Sequence, residues 1–173
     1  MARVAAEFKP ARIAVLTVSD SRTPENDTSG DYFVEQIQQV GHQLAERQIV
    51  ADNKYQIRAL VSGWIADGTI QAVLISGGTG FTAKNYTTEA LQPLFDKQVE
   101  GFGEIFRMLS FEDIGSSSLQ SRAIAGMANQ TVIFAMPGST GACRLGWEKL
   151  IKEQLDARHR PCNFMPHLST LRT

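Results

Sequence analysis

Three short runs constrain this chain more than any other feature. RIAVLTVS (12–19), AVLISGG (72–78) and TVIFAMP (131–137) are apolar almost throughout and rich in β-branched residues. Side chains alternate faces along a strand, so an unbroken apolar run reads as a strand buried on both sides. A further stretch, HQLAERQIV (42–50), alternates and reads as another strand. Between the runs the apolar spacing turns helical. Phe33, Val34, Ile37 and Val40 recur within 28–41, and Tyr55, Ile57, Leu60, Val61, Trp64 and Ile65 recur within 53–68. Strand followed by helix, repeated in this way, calls for a parallel sheet with helices on both faces. The prediction is an α/β fold of three αβα layers around a mostly parallel, doubly wound sheet.

The remaining elements follow the same logic. TTEALQPLF (87–95) opens a short helix, with Glu89 near its start, where it complements the helix dipole. GFGEIFRMLSFEDIG (101–115) and SSSLQSRAIAGMAN (116–129) read as a pair of helices. GSTGACRLGWEKLIKEQL (138–155) is the last long helix, and DARHRPCNFMPHLSTLRT (156–173) reads as a tail packing on a neighbour. Thr28 or Ser29 is expected to cap the first helix, with Gly41 just beyond its end. No repeat or linker divides the chain, so one domain over 1–173 is expected, with its core at about 12–155.

Composition excludes several function classes. The net charge of −1 is not the basic footprint of a nucleic-acid binder. No stretch approaches the ~18 apolar residues of a membrane span. Near the start, Glu7, Lys9 and Arg12 break the apolar run, which does not read as a secretory signal. A cytoplasmic protein is expected. Cys143 and Cys162 match no zinc spacing and are too few for a disulfide framework, so they read as reduced thiols.

Chemistry is expected at the carboxyl ends of the strands, where open α/β sheets bind ligands. SGGTG (76–80) follows one strand and MPGST (136–140) another. Gly77, Gly78 and Gly80 can take φ > 0, and successive N–H groups in such a turn form an anion-binding concavity. Thr79 adds a hydroxyl. Gly138, Ser139 and Thr140 open the last helix, where free N–H groups and the positive dipole end point outward. Two such turns on one sheet edge suit a polyphosphate, or two phosphorylated ligands side by side. Tight backbone geometry alone is the other reading of such turns. No GKS or GKT follows the glycines, and GGTG is not GxGxxG.

Three acidic residues lie at strand ends. Asp20 follows the first strand, Asp27 sits in the next loop, and Asp52 ends the second strand. A carboxylate there can hold Mg²⁺ against phosphate oxygens. Helix capping is an equal reading for Asp27 and Asp52.

The segments LTVSD, ISGGTG, EGFGEIFRMLS, LQSRAIAG and AMPGST occur in that order. Together they resemble the molybdopterin-binding family of molybdenum cofactor biosynthesis, in its stand-alone MoaB/MogA form. The resemblance runs from about Arg12 to His167, and the closing LDARHRPCNFMPHL is similar to the MoaB branch. It implies a homo-oligomer, trimer or hexamer, and a pocket for molybdopterin, a pterin bearing a dithiolene and a terminal phosphate. It also implies transfer of AMP from ATP to that phosphate with Mg²⁺ in active members. Other enzymes of the pathway are possible partners.

Carried over by position, Gly77, Gly78, Thr79 and Gly80 match the family's nucleotide and phosphate turn. Pro137, Gly138 and Ser139 match the second turn. Asp52 falls at an acidic position implicated in metal binding and catalysis. Ser110, Ser121 and Arg122 fall in segments lining the pterin site, and Asp20 joins them as a substrate-side residue. Glu104 and Arg107 read as pocket or packing residues. One position departs: the family usually has Asp five residues beyond the last glycine, where this chain has Asn85, preceded by Lys84. Asn lacks the charge. Two functional expectations therefore stand, adenylyl transfer or a pterin binder without turnover. A generic nucleotide-binding protein is a weaker third.

Overall fold

In the computed structural model, which describes residues 6–170, six strands form one sheet in the order β2-β1-β3-β6-β5-β4. The strands are β1 (Arg12–Val18), β2 (Gln43–Val50), β3 (Ala72–Ser76), β4 (Lys97–Gln98), β5 (Ile124–Ala128) and β6 (Thr131–Met136). β2, β1, β3 and β6 are mutually parallel; β5 runs antiparallel to both β6 and β4. The helices are α1 (Thr28–Gln39), α2 (Lys54–Asp67), α3 (Thr87–Leu91), α4 (Glu100–Ile114) and α5 (Thr140–Gly146). α5 continues through a π-helical turn over Trp147–Ile151 into a last turn, Lys152–Gln154.

Strand alternation divides the core in two. Ile13, Val15, Leu74, Phe134 and Met136 face Phe33 and Ile37 of α1, Phe102 and Phe106 of α4, and Trp147. Ala14, Leu16, Val73, Ile75 and Ile133 face Ile57, Val61 and Trp64 of α2 and Leu91 of α3. The result is the three-layer α/β architecture. Trp147 is fully buried, and truncating such a side chain to Ala costs about 3–5 kcal/mol.

Two expectations are corrected. Residues 116–129 are not a helix. Gly115, at φ +56°, ends α4, a 3₁₀ segment spans Gly115–Gln120, and β5 follows. A run of serines is a weak helix former, and Asn129 and Gln130, both at positive φ, make the two-residue hairpin into β6. The first helix is capped by Asp27, which accepts from the Gly30 amide, rather than by Thr28 or Ser29. The closing stretch folds onto its own sheet. Phe164 meets Phe134 edge-on, Leu168 is buried, and Ser169 bonds through its backbone to Gln130 and Gln71.

The carboxyl ends of β1, β3 and β6 lie side by side, because the three strands pair in register. That brings the SGGTG and MPGST turns to one corner. Among the described residues, no helix is long and apolar enough to cross a membrane.

Candidate functional site

The corner is assembled from loops that touch. Gly77 has φ +93°, and a Cβ there would lie 2.2 Å from the Val18 carbonyl oxygen. Its N–H donates to Met136 O at 3.0 Å. Across from it, a Cβ on Gly138 would come within 3.1 Å of Gly77 Cα. The two glycine turns are therefore backbone neighbours. Gly77 and Gly138 are needed for this approach, and the amide of Gly77 is already committed to the sheet. The N–H groups of Gly78, Thr79 and Gly80 carry no hydrogen bond among the described residues, nor do those of Ser139 and Thr140. Those are the donors left for an anion.

Both turns are latched from outside. Thr87 is buried; its hydroxyl donates to Gly77 O at 2.8 Å and its N–H to Gly78 O at 3.0 Å. Ser29 Oγ donates to Gly138 O at 2.8 Å. Ser139 caps α5, accepting from the Ala142 amide at 3.2 Å. Arg122 straps three segments together. It donates to Thr79 O at 3.1 Å and Asn85 O at 2.6 Å, and it pairs with Glu89. Burial raises the Glu89 carboxyl, but the bond and charge of Arg122 together with a backbone amide bond hold it below the usual glutamate range. Sequence reasoning does not reach Thr87 or Ser29 as site residues. The only signal for either is a hydroxyl beside a helix start.

Asp52 and Asp20 lie at the same corner. Asp52 Oδ2 accepts from Asn85 N at 2.8 Å and from Asn85 Nδ2 at 2.9 Å, and Oδ1 accepts from Tyr86 N at 2.8 Å. Asp20 Oδ1 accepts from Asp52 N at 3.0 Å, and Oδ2 meets Lys84 Nζ at 2.5 Å. The Lys84 bond holds Asp20 below the usual aspartate range, and Asp20 raises Lys84 in return. Asn85 sits at φ +64° against Gly80, and its Oδ1 accepts from Thr82 N and Oγ1. These residues edge a hollow of about 230 Å³ lined by Gly80, Thr82, Lys84, Asn85, Glu89 and Arg122, among others. Among the described residues no group of three or more His, Cys, Asp or Glu is placed to hold a metal. Every carboxylate oxygen of Asp52 and Asp20 already accepts at least one N–H group, so a resident Mg²⁺ would compete with those donors for the carboxylates it takes.

A family model described as a probable molybdopterin binding domain matches residues 14–157. The chain belongs to this family. The Molybdenum cofactor biosynthesis protein B of Escherichia coli (strain K12) is 61% identical over 168 residues, covering 97% of this chain and 99% of its own. The protein of the same name from Bacillus subtilis (strain 168) is 46% identical, covering 83% and 85%. Among solved structures, a Molybdenum cofactor biosynthesis protein B superposes with a TM-score of 0.82 at 44% identity, covering 85% of this chain and 92% of that one. The tungsten cofactor synthesizing protein MoaB from Pyrococcus furiosus follows at 0.77 and 32%, covering 85% and 93%.

The family's sequence positions are not all gathered at the corner. Gly77, Gly78, Thr79, Gly80, Pro137, Gly138, Ser139, Asp20, Asp52, Asn85 and Arg122 belong to it or strap it. Ser110 is buried in α4 and donates to Phe106 O at 2.8 Å within its own helix. Ser121 Oγ is buried without a hydrogen-bond partner, while its carbonyl accepts from Arg107 at 3.4 Å. Arg107 also donates to Ala123 O at 3.2 Å, and with Glu104 it lines a separate hollow of about 240 Å³. A larger hollow, about 670 Å³, lies between the β4 edge and the returning C-terminal segment, beside Asn129 and Gln130. These two residues precede β6, so it sits at the opposite end of the sheet from the glycine turns.

Proposed function

We propose that this chain serves molybdenum cofactor biosynthesis by binding molybdopterin, or a precursor with the same terminal phosphate, at the corner between the two glycine turns. One observation carries this reading: Gly138 rests on Gly77, and the amides of Gly78, Thr79 and Gly80 are unbonded beside it. Donors fixed in advance bind an anion without first reorganising. Family membership supplies the ligand class, since the corner's geometry suits an anion without specifying a pterin.

Adenylyl transfer is the second reading, favoured by the contact between two amide-rich turns. In it a phosphate oxygen of the pterin attacks the α-phosphorus of ATP, and the bond to pyrophosphate breaks. That oxygen is ionised near neutral pH, so no general base is required. Positioning and charge compensation carry the step, with Mg²⁺ arriving on the nucleotide. His42, His159 and His167 lie outside the corner and take no part in it.

Purified protein mixed with molybdopterin, ATP and Mg²⁺ separates the readings. Retention of the pterin without an AMP-bearing product supports binding alone. Product formation establishes transfer. Failure to retain the pterin rejects both.

Association of copies belongs to the same proposal. Ile105, Met108, Phe111, Ile114 and Leu119 on and after α4 are 43–77% exposed, and contiguous apolar surface of this kind marks an interface. A monomer mass by light scattering would contradict it.

A further inference from the structure

We infer that Lys84 takes the place of a divalent cation at this corner, so that a phosphate binds here without Mg²⁺. The inference rests on the phosphate-binding reading above and specifies its electrostatics.

Asp52 receives three N–H groups, from Asn85 N, Asn85 Nδ2 and Tyr86 N. Asp20 receives one on each oxygen, from Asp52 N and from Lys84. Mg²⁺ demands near-octahedral oxygen ligands and takes one or two free carboxylates. One lone-pair position on Asp52 Oδ1 and one on each Asp20 oxygen remain, but a lysine ammonium already sits against Asp20 Oδ2. Two residues create this situation together. Asn85 supplies an N–H where a carboxylate would have supplied a ligand, and Lys84 engages the second oxygen of Asp20.

The donors complete it. Arg122 has all three of its guanidinium nitrogens engaged, by Thr79 O, Asn85 O and Glu89. Lys84 has three N–H groups, of which one meets Asp20, and its side chain is 61% exposed on the hollow. Arg122 keeps one N–H on each Nη, but its plane is fixed by three partners and its side chain is only 21% exposed, so Lys84 is the more accessible of the two cations. Without it, Asp20 and Asp52 would present two carboxylates to an incoming phosphate. With it, the Asp20–Lys84 pair is neutral and offers two N–H groups at the hollow whose wall also includes Gly80, the last glycine of the turn. A lysine ammonium is an established point-charge binder of phosphate. An exposed lysine is protonated throughout the neutral range, and the Asp20 bond only raises its pKa further.

The test uses radiolabelled pyrophosphate as probe and equilibrium dialysis of the full chain, once in EDTA and once in Mg²⁺. The expected dissociation constants agree within about twofold between the two buffers. Lys84→Met weakens binding in EDTA by about tenfold or more, the usual consequence of losing one charge-assisted hydrogen bond, while Lys84→Arg stays within about threefold because it keeps the charge. The double variant Lys84→Met with Asn85→Asp regains binding in Mg²⁺ only. Binding by the native chain that requires Mg²⁺ overturns the inference and leaves the phosphate site standing. So does a Lys84→Met variant that binds as well as the native chain. No retention in either buffer overturns the phosphate-binding reading, and the role of Lys84 with it.

Discussion

Asn85 presents two N–H groups, its backbone amide and its side-chain amide, to a single oxygen of Asp52 at 2.8 and 2.9 Å. The loop from 81 to 86 is closed by that clamp and held open to φ +64° at Asn85 itself, a conformation Asn tolerates better than most residues. Asn85→Asp would set an oxygen where the donor stands, against another carboxylate. Like charges at that distance cannot both remain ionised without the loop opening. The variant should lose about 1–3 kcal/mol of stability, read as a shift in the urea unfolding midpoint. Unchanged stability would mean that the clamp contributes nothing.

Gly77 and Gly138 face one another yet should respond differently to alanine. At Gly77 the positive φ and the 2.2 Å approach to Val18 O both forbid a Cβ, and the obstructing atom is backbone. Gly77→Ala should cost more than about 3 kcal/mol or prevent folding. At Gly138 the nearest atom is 3.1 Å away and φ is not positive. Gly138→Ala should cost about 1 kcal/mol and act mainly by prising the two turns apart. Melting curves of the two variants check the order; equal losses would refute the geometry.

How far the sequence could be read is visible in these same residues. The apolar runs announced β1, β3 and β6 because burial on both faces leaves no polar position to confuse the pattern. The glycine turns were legible because only Gly combines positive φ with so close an approach. β5 was not. Its residues Ile124–Ala128 include Gly126, whose missing side chain makes room for the Phe95 ring, and no local pattern records a ring arriving from 31 positions away. Asp52 and Asn85 could be named as candidates from the family's positions. That they bond to each other is a tertiary fact, as is the role of Arg122 as a strap rather than a free ligand.

His42 should make the fold sensitive to mild acid. It is buried and accepts the Ala11 amide on Nδ1 at 3.0 Å. Burial lowers its pKa to about 4, against a weaker opposing pull from Asp156. The folded state thus binds the proton less readily than the unfolded chain, whose histidines titrate near 6.5. The contribution is complete above about pH 6.5 and is lost as pH falls toward 4, by an amount on the order of 2 kcal/mol. The ring is close to Phe8, and protonation would also remove the acceptor that Ala11 uses. His42→Gln should flatten the stability profile between pH 6.5 and 4 relative to the native chain. Parallel profiles would assign the acid sensitivity to other groups.

Asp27 should carry more than a helix cap. Its carboxylate is fully buried and accepts from Gly30 N at 3.0 Å, Thr17 Oγ at 2.8 Å and Arg47 Nη2 at 2.9 Å. Gly30 is what lets it tuck in, since a Cβ there would fall 2.0 Å from Asp27 Oδ2. A cap alone is preserved by Asn, which ranks beside Asp at such positions. A buried ion pair is not, because Arg47 would be left with only the exposed Asp31 as its carboxylate partner. Asp27→Asn should therefore cost about 1–3 kcal/mol and Asp27→Ala about 3–5 kcal/mol, measured by chemical unfolding. Because Ser29, two residues on, holds the Gly138 carbonyl, both variants should also weaken pyrophosphate binding in the same order. An Asp27→Asn variant as stable as the native chain would reduce Asp27 to a cap and detach α1 from the site.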